Sequence, residues 1–167
     1  YSHGASDDAS GIATILEGVR AFLANKTPHK NDIIILFSDA EELGLNGAAL
    51  FVTKSNWANE VGLVLNFEAR GSAGPSYMLM EVNKGNANMV KEFTAANPSY
   101  PVSNSLMYSI YKMLPNDTDL TVFREQGKIQ GFNFTFIDNH FNYHTAQDDI
   151  AHLSPKTMEH QGTYMVP

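Results

Sequence analysis

Apolar positions recur along the first part of the chain at Ile12, Ile15, Leu16, Val19, Phe22 and Leu23. That spacing puts them on one side of a helix, so residues 10 to 25 are predicted to form an amphipathic helix resting on a sheet. After a polar connector containing Pro28 the pattern changes. Asp32-Ile33-Ile34-Ile35-Leu36-Phe37-Ser38 is a continuous apolar run of strand length, the signature of a strand covered on both faces. Helical character returns over residues 46 to 55, and a second buried strand is predicted from Val61 to Phe67. Beyond Gly71-Ser72-Ala73-Gly74-Pro75, a loop by composition, Tyr77 to Glu81 reads as a strand. Residues 86 to 95 and 102 to 113 read as helices, with Asn97-Pro98-Ser99-Tyr100-Pro101 as the breaker between them. Phe132 to Ile137 is the last strand, and a final helix starts at Pro155.

Alternating helices and strands predict an α/β fold: a three-layer sandwich whose mixed, mostly parallel sheet carries helices on both faces. In such sheets ligands gather beyond the carboxyl ends of the strands. The 167 residues fit one domain, residues 1–167, able to bury a core without disulfides. The chain opens abruptly, Tyr1-Ser2-His3-Gly4 leading at once into acidic residues, so a cut inside a larger protein, with the first strands missing, is the expectation.

Charge and composition narrow the chemistry. A formal charge of −7 with no Lys/Arg cluster argues against nucleic acid as a partner, because a phosphate backbone is held by a positive footprint. The surplus acid is available to cations. There is no cysteine, so any zinc must be held by histidine and carboxylate. No apolar run approaches the roughly 20 residues of a bilayer span, and no membrane contact is expected of this segment itself.

Four acidic or histidine-bearing segments fall at predicted strand ends or helix starts. In Gly4-Ala5-Ser6-Asp7-Asp8-Ala9-Ser10-Gly11, two adjacent carboxylates share a glycine-bounded turn, which is costly unless a cation or a helix N-terminus compensates. Capping by Asp8 or Ser10 would explain one acid and leave Asp7 over. Ser38-Asp39-Ala40-Glu41-Glu42-Leu43-Gly44 closes the triple-isoleucine run. Neighbouring glutamates there can face different ways, one towards a metal and one towards a water, or they can form a solvated turn. Asn66-Phe67-Glu68-Ala69-Arg70-Gly71 offers Glu68 and Arg70, equally readable as a structural ion pair. Phe141 to Asp149 carries His144, whose weight comes from the other three segments.

Taken in order, Gly-Ala-Ser-Asp7-Asp8-Ala-Ser-Gly, Asp39-Ala-Glu41-Glu42-Leu-Gly, Asn66-Phe-Glu68 and Tyr143-His144-Thr-Ala-Gln-Asp148 resemble the aminopeptidase Y-like zinc exopeptidases, the M28 peptidase family. The resemblance spans nearly the whole chain. It implies that Asp7 bridges two zinc ions, that Glu42, Glu68 and His144 are further ligands, and that Glu41 is the general base. It also implies a cis Asp7–Asp8 peptide. Asp8, Arg70, Asp119, Phe123 and Tyr143 fall on stretches flanking the family's site and are candidates for substrate binding or support. The implied activity is removal of residues from the free N-terminus of a peptide.

The family's remaining ligand is a histidine in a His-x-Asp segment upstream of the Asp-Asp turn, and this chain has no such segment. His3 lacks the following Asp, and His29, His140, His152 and His160 match no ligand motif. Two zinc ions are therefore expected in the full-length protein and one or none in this stretch, which by itself is expected to be inactive. The Asn-x-Glu-x-Arg-Gly version resembles a subgroup whose peptidase domain precedes several membrane spans, implying an extracytoplasmic domain of a membrane-anchored or secreted protein. Two other readings remain open: a single-zinc glutaminyl cyclase, which uses a glutamate in the Glu68 position, and a binding domain without catalysis. Of the sequons at Asn25, Asn116 and Asn133, the last lies in a predicted buried strand and is read as incidental.

Overall fold

A computed structural model describes residues 1–26, 28–113 and 117–165. Its centre is the strand β3 (Gly131–Phe136), every residue of which is buried. β1 (Val64–Ala69) runs parallel to it, with Val64 opposite Gly131 and Ala69 opposite Phe136, and β2 (Tyr77–Glu81) runs antiparallel on the other side. The sheet order is β1-β3-β2.

Alternation along β3 sends its residues to two different layers. Phe132 and Phe134 join Phe67 and Met78 in an aromatic core against α1 (Ala9–Asn25), α3 (Ala87–Ala96) and the end of α6 (Pro155–Gly162), where Phe134 lies 4.6 Å from the Tyr164 ring. Asn133, the middle residue of the strand, is fully buried and satisfied from both sides. It accepts from the Asn66 amide at 3.1 Å and donates to the Thr118 hydroxyl at 3.5 Å. On this second side Leu120, Val122 and Phe123 of α5 (Asp119–Glu125) pack with Ala48 of α2 (Asn46–Lys54). Helices on both sheet faces give the three-layer α/β sandwich read from the sequence, and the burial of Asn133 agrees with an incidental sequon.

Three local expectations are corrected. Residues 32–38 do not form a strand. Ile33 to Phe37 run without regular structure, with exposures of 59, 39, 42, 37 and 50%. An apolar run encodes a demand for burial but not the neighbour that supplies ladder hydrogen bonds, and among the described residues no strand pairs with it. The helix α1 forms as expected, but its most buried positions are Ser10, Gly11, Thr14 and Gly18, while Ile12, Leu16 and Leu23 are exposed by 42, 54 and 68%. Small side chains allow close approach: a methyl group on Gly18 would lie 2.6 Å from Met165. The short helix α5 was absent from the sequence reading. Its Thr-Asp-Leu-Thr-Val-Phe run alternates like a strand, and the local cue was Thr118, whose backbone N–H donates to the Thr121 hydroxyl at 3.4 Å.

α4 (Ser105–Met113) starts three residues later than predicted because Val102 pairs with Tyr77 in an isolated bridge. β1 extends two residues beyond its predicted end, which brings Glu68 into the strand, opposite Thr135.

Candidate active site

Asp7 and Asp8 occupy the turn that feeds α1. The turn is held from a distance by Asp148, which is 1% exposed: its carboxylate accepts from Ser6 N–H at 2.6 Å and from Asp7 N–H at 3.2 Å. The Asp7–Asp8 peptide is cis, as the resemblance implies. Asp8 turns back to cap the helix, accepting from Gly11 N–H at 3.2 Å. A Cβ on Gly11 would sit 2.6 Å from an Asp8 carboxylate oxygen, so a side chain there would push the Asp8 carboxylate out of its capping position.

Glu41 and Glu42 lie in the turn between residue 38 and α2. The Glu41 carbonyl accepts from Gly44 and Leu45 N–H at 3.0 and 2.8 Å, which folds the turn, and the Ser38 hydroxyl bonds Asp119 at the start of α5. Glu68 comes from the end of β1, 7% exposed, with its carboxylate accepting from Ala69 N–H at 3.1 Å. His144 follows the short 3-10 turn His140–Asn142 and stacks on the Tyr143 ring at 3.7 Å.

These elements bring three of the four predicted ligands together. His144 Nε2 is 2.6 Å from Glu42 Oε1 and 3.1 Å from Asp7 Oδ2, and one donor atom from each residue lies within 4.8 Å of the others. Glu68 is outside that group of atoms, although its charge acts on Asp8 and is acted on by Asp7 and Glu41. Glu41, Glu42, Gly44, Leu45, Arg70, Asp117, Tyr143 and His144 line an open recess of about 430 Å³. Phe123 does not belong to it: the ring is 5% exposed and packs 5.7 Å from Phe51 in the α2–α5 core, because the inward face of α5 is its apolar face.

The electrostatics are those of carboxylates crowded around few counter-charges, His144 and Arg70. Desolvation, followed by repulsion from Glu42, raises the Asp7 carboxyl to about 6, against the opposing pull of His144. Desolvation and repulsion from Glu42, Asp119 and Asp7 raise Glu41 to about 7. Desolvation and Asp7 raise Glu68 to about 8, against Arg70. Asp8 borders open space yet is packed deep among protein atoms, and desolvation followed by Glu68 and Asp7 raises it well above the usual carboxylate range. Asp119 is raised by desolvation, and its Oδ1 is buried without a hydrogen-bond partner.

Two oxygens and one imidazole nitrogen at mutual contact, surrounded by further acids whose protons are held abnormally tightly, form a donor set suited to zinc or a similar cation. The supporting role of Asp148 was missed in the sequence, where it was only the last letter of a motif. Its cue was an acid four residues after the candidate histidine, and its partner lies more than a hundred residues away. Of the remaining histidines, His160 accepts from Ser76 N–H at 2.9 Å and His152 pairs with Asp149 at 2.7 Å, both away from the recess. No helix among the described residues is long and apolar enough to cross a membrane.

Residues 1–167 match Peptidase family M28. Endoplasmic reticulum metallopeptidase 1 of Mus musculus is 29% identical over 163 residues, covering 96% of this chain and 18% of the relative. Putative endoplasmic reticulum metallopeptidase 1-A of Caenorhabditis elegans is 29% identical over 161 residues, with 95% and 18% covered. Vacuolar membrane protease of Candida albicans is 34% identical over 161 residues, again with 95% and 18% covered. The chain thus spans less than a fifth of the length of these relatives. No solved structure matches it.

Proposed function

Because the chain belongs to peptidase family M28, we propose that it is the catalytic domain of a zinc-dependent exopeptidase that removes residues from the free N-terminus of a peptide. The observation that carries this reading is the meeting of Asp7, Glu42 and His144 with Glu41 on the wall of the same recess. Asp7, Glu42 and His144 would hold the metal, with Glu68 beside them. Zinc bound there supplies Lewis-acid polarisation of a carbonyl and acidification of a water.

The chain's own groups do the rest. Glu41 takes a proton from the attacking water and delivers it to the departing amine; its elevated proton affinity suits a group that must both accept and release a proton near neutral pH. The crowded acids Asp8, Glu68 and Asp119 make the surroundings favourable for the positive α-amino group of a substrate, which is the basis for choosing exopeptidase over internal cleavage. The names of the relatives, a vacuolar membrane protease and endoplasmic reticulum metallopeptidases, support an extracytoplasmic domain of a membrane-anchored protein.

The test combines metal content with turnover. Zinc titration of the protein in its natural length should saturate at about two ions, and Glu41→Gln should retain that stoichiometry while kcat falls by about 100-fold or more. Undiminished hydrolysis by Glu41→Gln would remove Glu41 from its role. Equal cleavage of N-acetylated and free peptides would replace the exopeptidase reading with an endopeptidase one.

A further inference from the structure

The two ends of α1 differ in character. The helix begins at the acidic turn of Asp7 and Asp8 and ends, 17 residues long, at Asn25. At a rise of roughly 1.5 Å per residue it carries Asn25 about 24 Å from that turn. Leu23, Ala24, Asn25 and Lys26 are all exposed, and so is the connector over residues 28–39. Lys26 takes the left-handed conformation, φ 51°, with its N–H donating to the Leu23 carbonyl at 3.4 Å, and this turns the chain off the helix. His29 then lies back against the helix, its ring 5.7 Å from that of Phe22. Asn25 is left at an open corner of the surface.

Asn25-Lys26-Thr27 is a sequon for attachment of sugar to the asparagine amide, Thr27 itself lying outside the described residues. The other two sequons are placed differently. The Asn133 amide accepts from Asn66 and donates to Thr118 inside the fold, so a sugar there would break both bonds and force bulk into β3. In Asn116-Asp117-Thr118 the threonine is 1% exposed and Asp117 lines the recess, so bulk attached beside it would compete with a substrate; Asn116 lies outside the described residues. Asn25 combines exposure with distance from the chemistry.

We propose that Asn25 carries an N-linked oligosaccharide in the natural protein. The proposal rests on the extracytoplasmic reading above, because the sugar is transferred on the side of the membrane away from the cytoplasm. The donor is a lipid-linked oligosaccharyl diphosphate. The Asn25 amide nitrogen bonds to the anomeric carbon, the bond from that carbon to the diphosphate oxygen breaks, the lipid diphosphate leaves with the electron pair, and the amide loses one proton. The product sets a hydrated bulk beside Leu23, which is 68% exposed.

The experiment uses the protein in its natural length, made in cells whose membranes carry out N-glycosylation. Peptide N-glycosidase in heavy-oxygen water should lower the apparent mass and convert Asn25 to labelled aspartate, with no label at Asn133. Asn25→Gln and Thr27→Ala should each remove one glycan, while Thr27→Ser should keep it. Zinc content of these variants should match the parent, since the changes lie far from the ligands. Proteinase added to sealed vesicles with the cytoplasmic face outward reports the location of the segment independently. An unlabelled Asn25 in a segment protected from that proteinase overturns the proposal and leaves the extracytoplasmic reading standing. A segment that the proteinase cuts overturns both. Label at Asn133 with Asn25 unmodified overturns the choice of site.

Discussion

Glu68 and Glu81 are both buried glutamates, one on each outer strand of the three-stranded sheet, and they are treated in opposite ways. Glu81 is fully buried at the end of β2, opposite Gly131, and its carboxylate accepts from Arg124 Nε at 2.9 Å and from the Tyr111 hydroxyl at 3.0 Å. Glu68, at the other end of the sheet opposite Thr135, has a single backbone donor and is surrounded by Asp7, Asp8 and Glu41. A buried charge that only holds the fold together is given a partner. One crowded by other acids, with only the unbonded charge of Arg70 opposing them, stores repulsion that a cation can relieve, and that contrast sets the two ends of the sheet apart.

The comparison can be broken most severely at Arg124. Arg124→Met leaves Glu81 buried without its counter-charge and should destabilise the chain by about 3–5 kcal/mol in urea unfolding. The opposite sign is expected at Glu68. Glu68→Gln removes a repelled charge and should stabilise the metal-free chain at pH 8 by roughly 1–3 kcal/mol, while weakening zinc binding. Destabilisation of the metal-free chain by Glu68→Gln would place both glutamates in the same structural class.

The next effect is a pH dependence. Folded values of about 6 for Asp7, about 7 for Glu41 and about 8 for Glu68 all lie above the ordinary values of 3.8 and 4.5. The folded state therefore binds more protons than the unfolded one across that interval, and stability must fall as pH rises from about 4.5 to about 8. Metal-free protein should melt at a higher temperature at pH 5 than at pH 8. Saturating zinc should shrink that difference, because the cation replaces the protons. The smallest effect belongs to the exposed Arg20–Glu17 pair, where Arg20→Ala should leave the midpoint of urea unfolding unchanged.

How much of this was readable beforehand depends on the range of each interaction. Asp7, Glu42 and His144 stood out because residue type and local motif both marked them, and the structure brings their donor atoms together. The α/β alternation was readable for the same reason, being a local pattern of apolar residues. Ile33 to Phe37 misled because a strand is a relation between two segments and the sequence shows only one of them. The most buried positions of α1 were misjudged because close packing favours Gly11 and Gly18, whose contribution is what they lack. Asp148 was marked only as an acid four residues after His144, and its bonds to Ser6 and Asp7 span more than 140 residues, a range no local pattern records.

That clamp has a consequence for how the molecule comes into being. By gripping the backbone of Ser6 and Asp7, Asp148 ties two segments separated by 142 and 141 residues, with His144 four residues away. Closing so long a loop carries an entropic cost that is recovered only when the intervening sheet and helices are in place. On the proposed reading a half-folded chain has nowhere to collect an ion, and metal uptake would be a signature of the folded state.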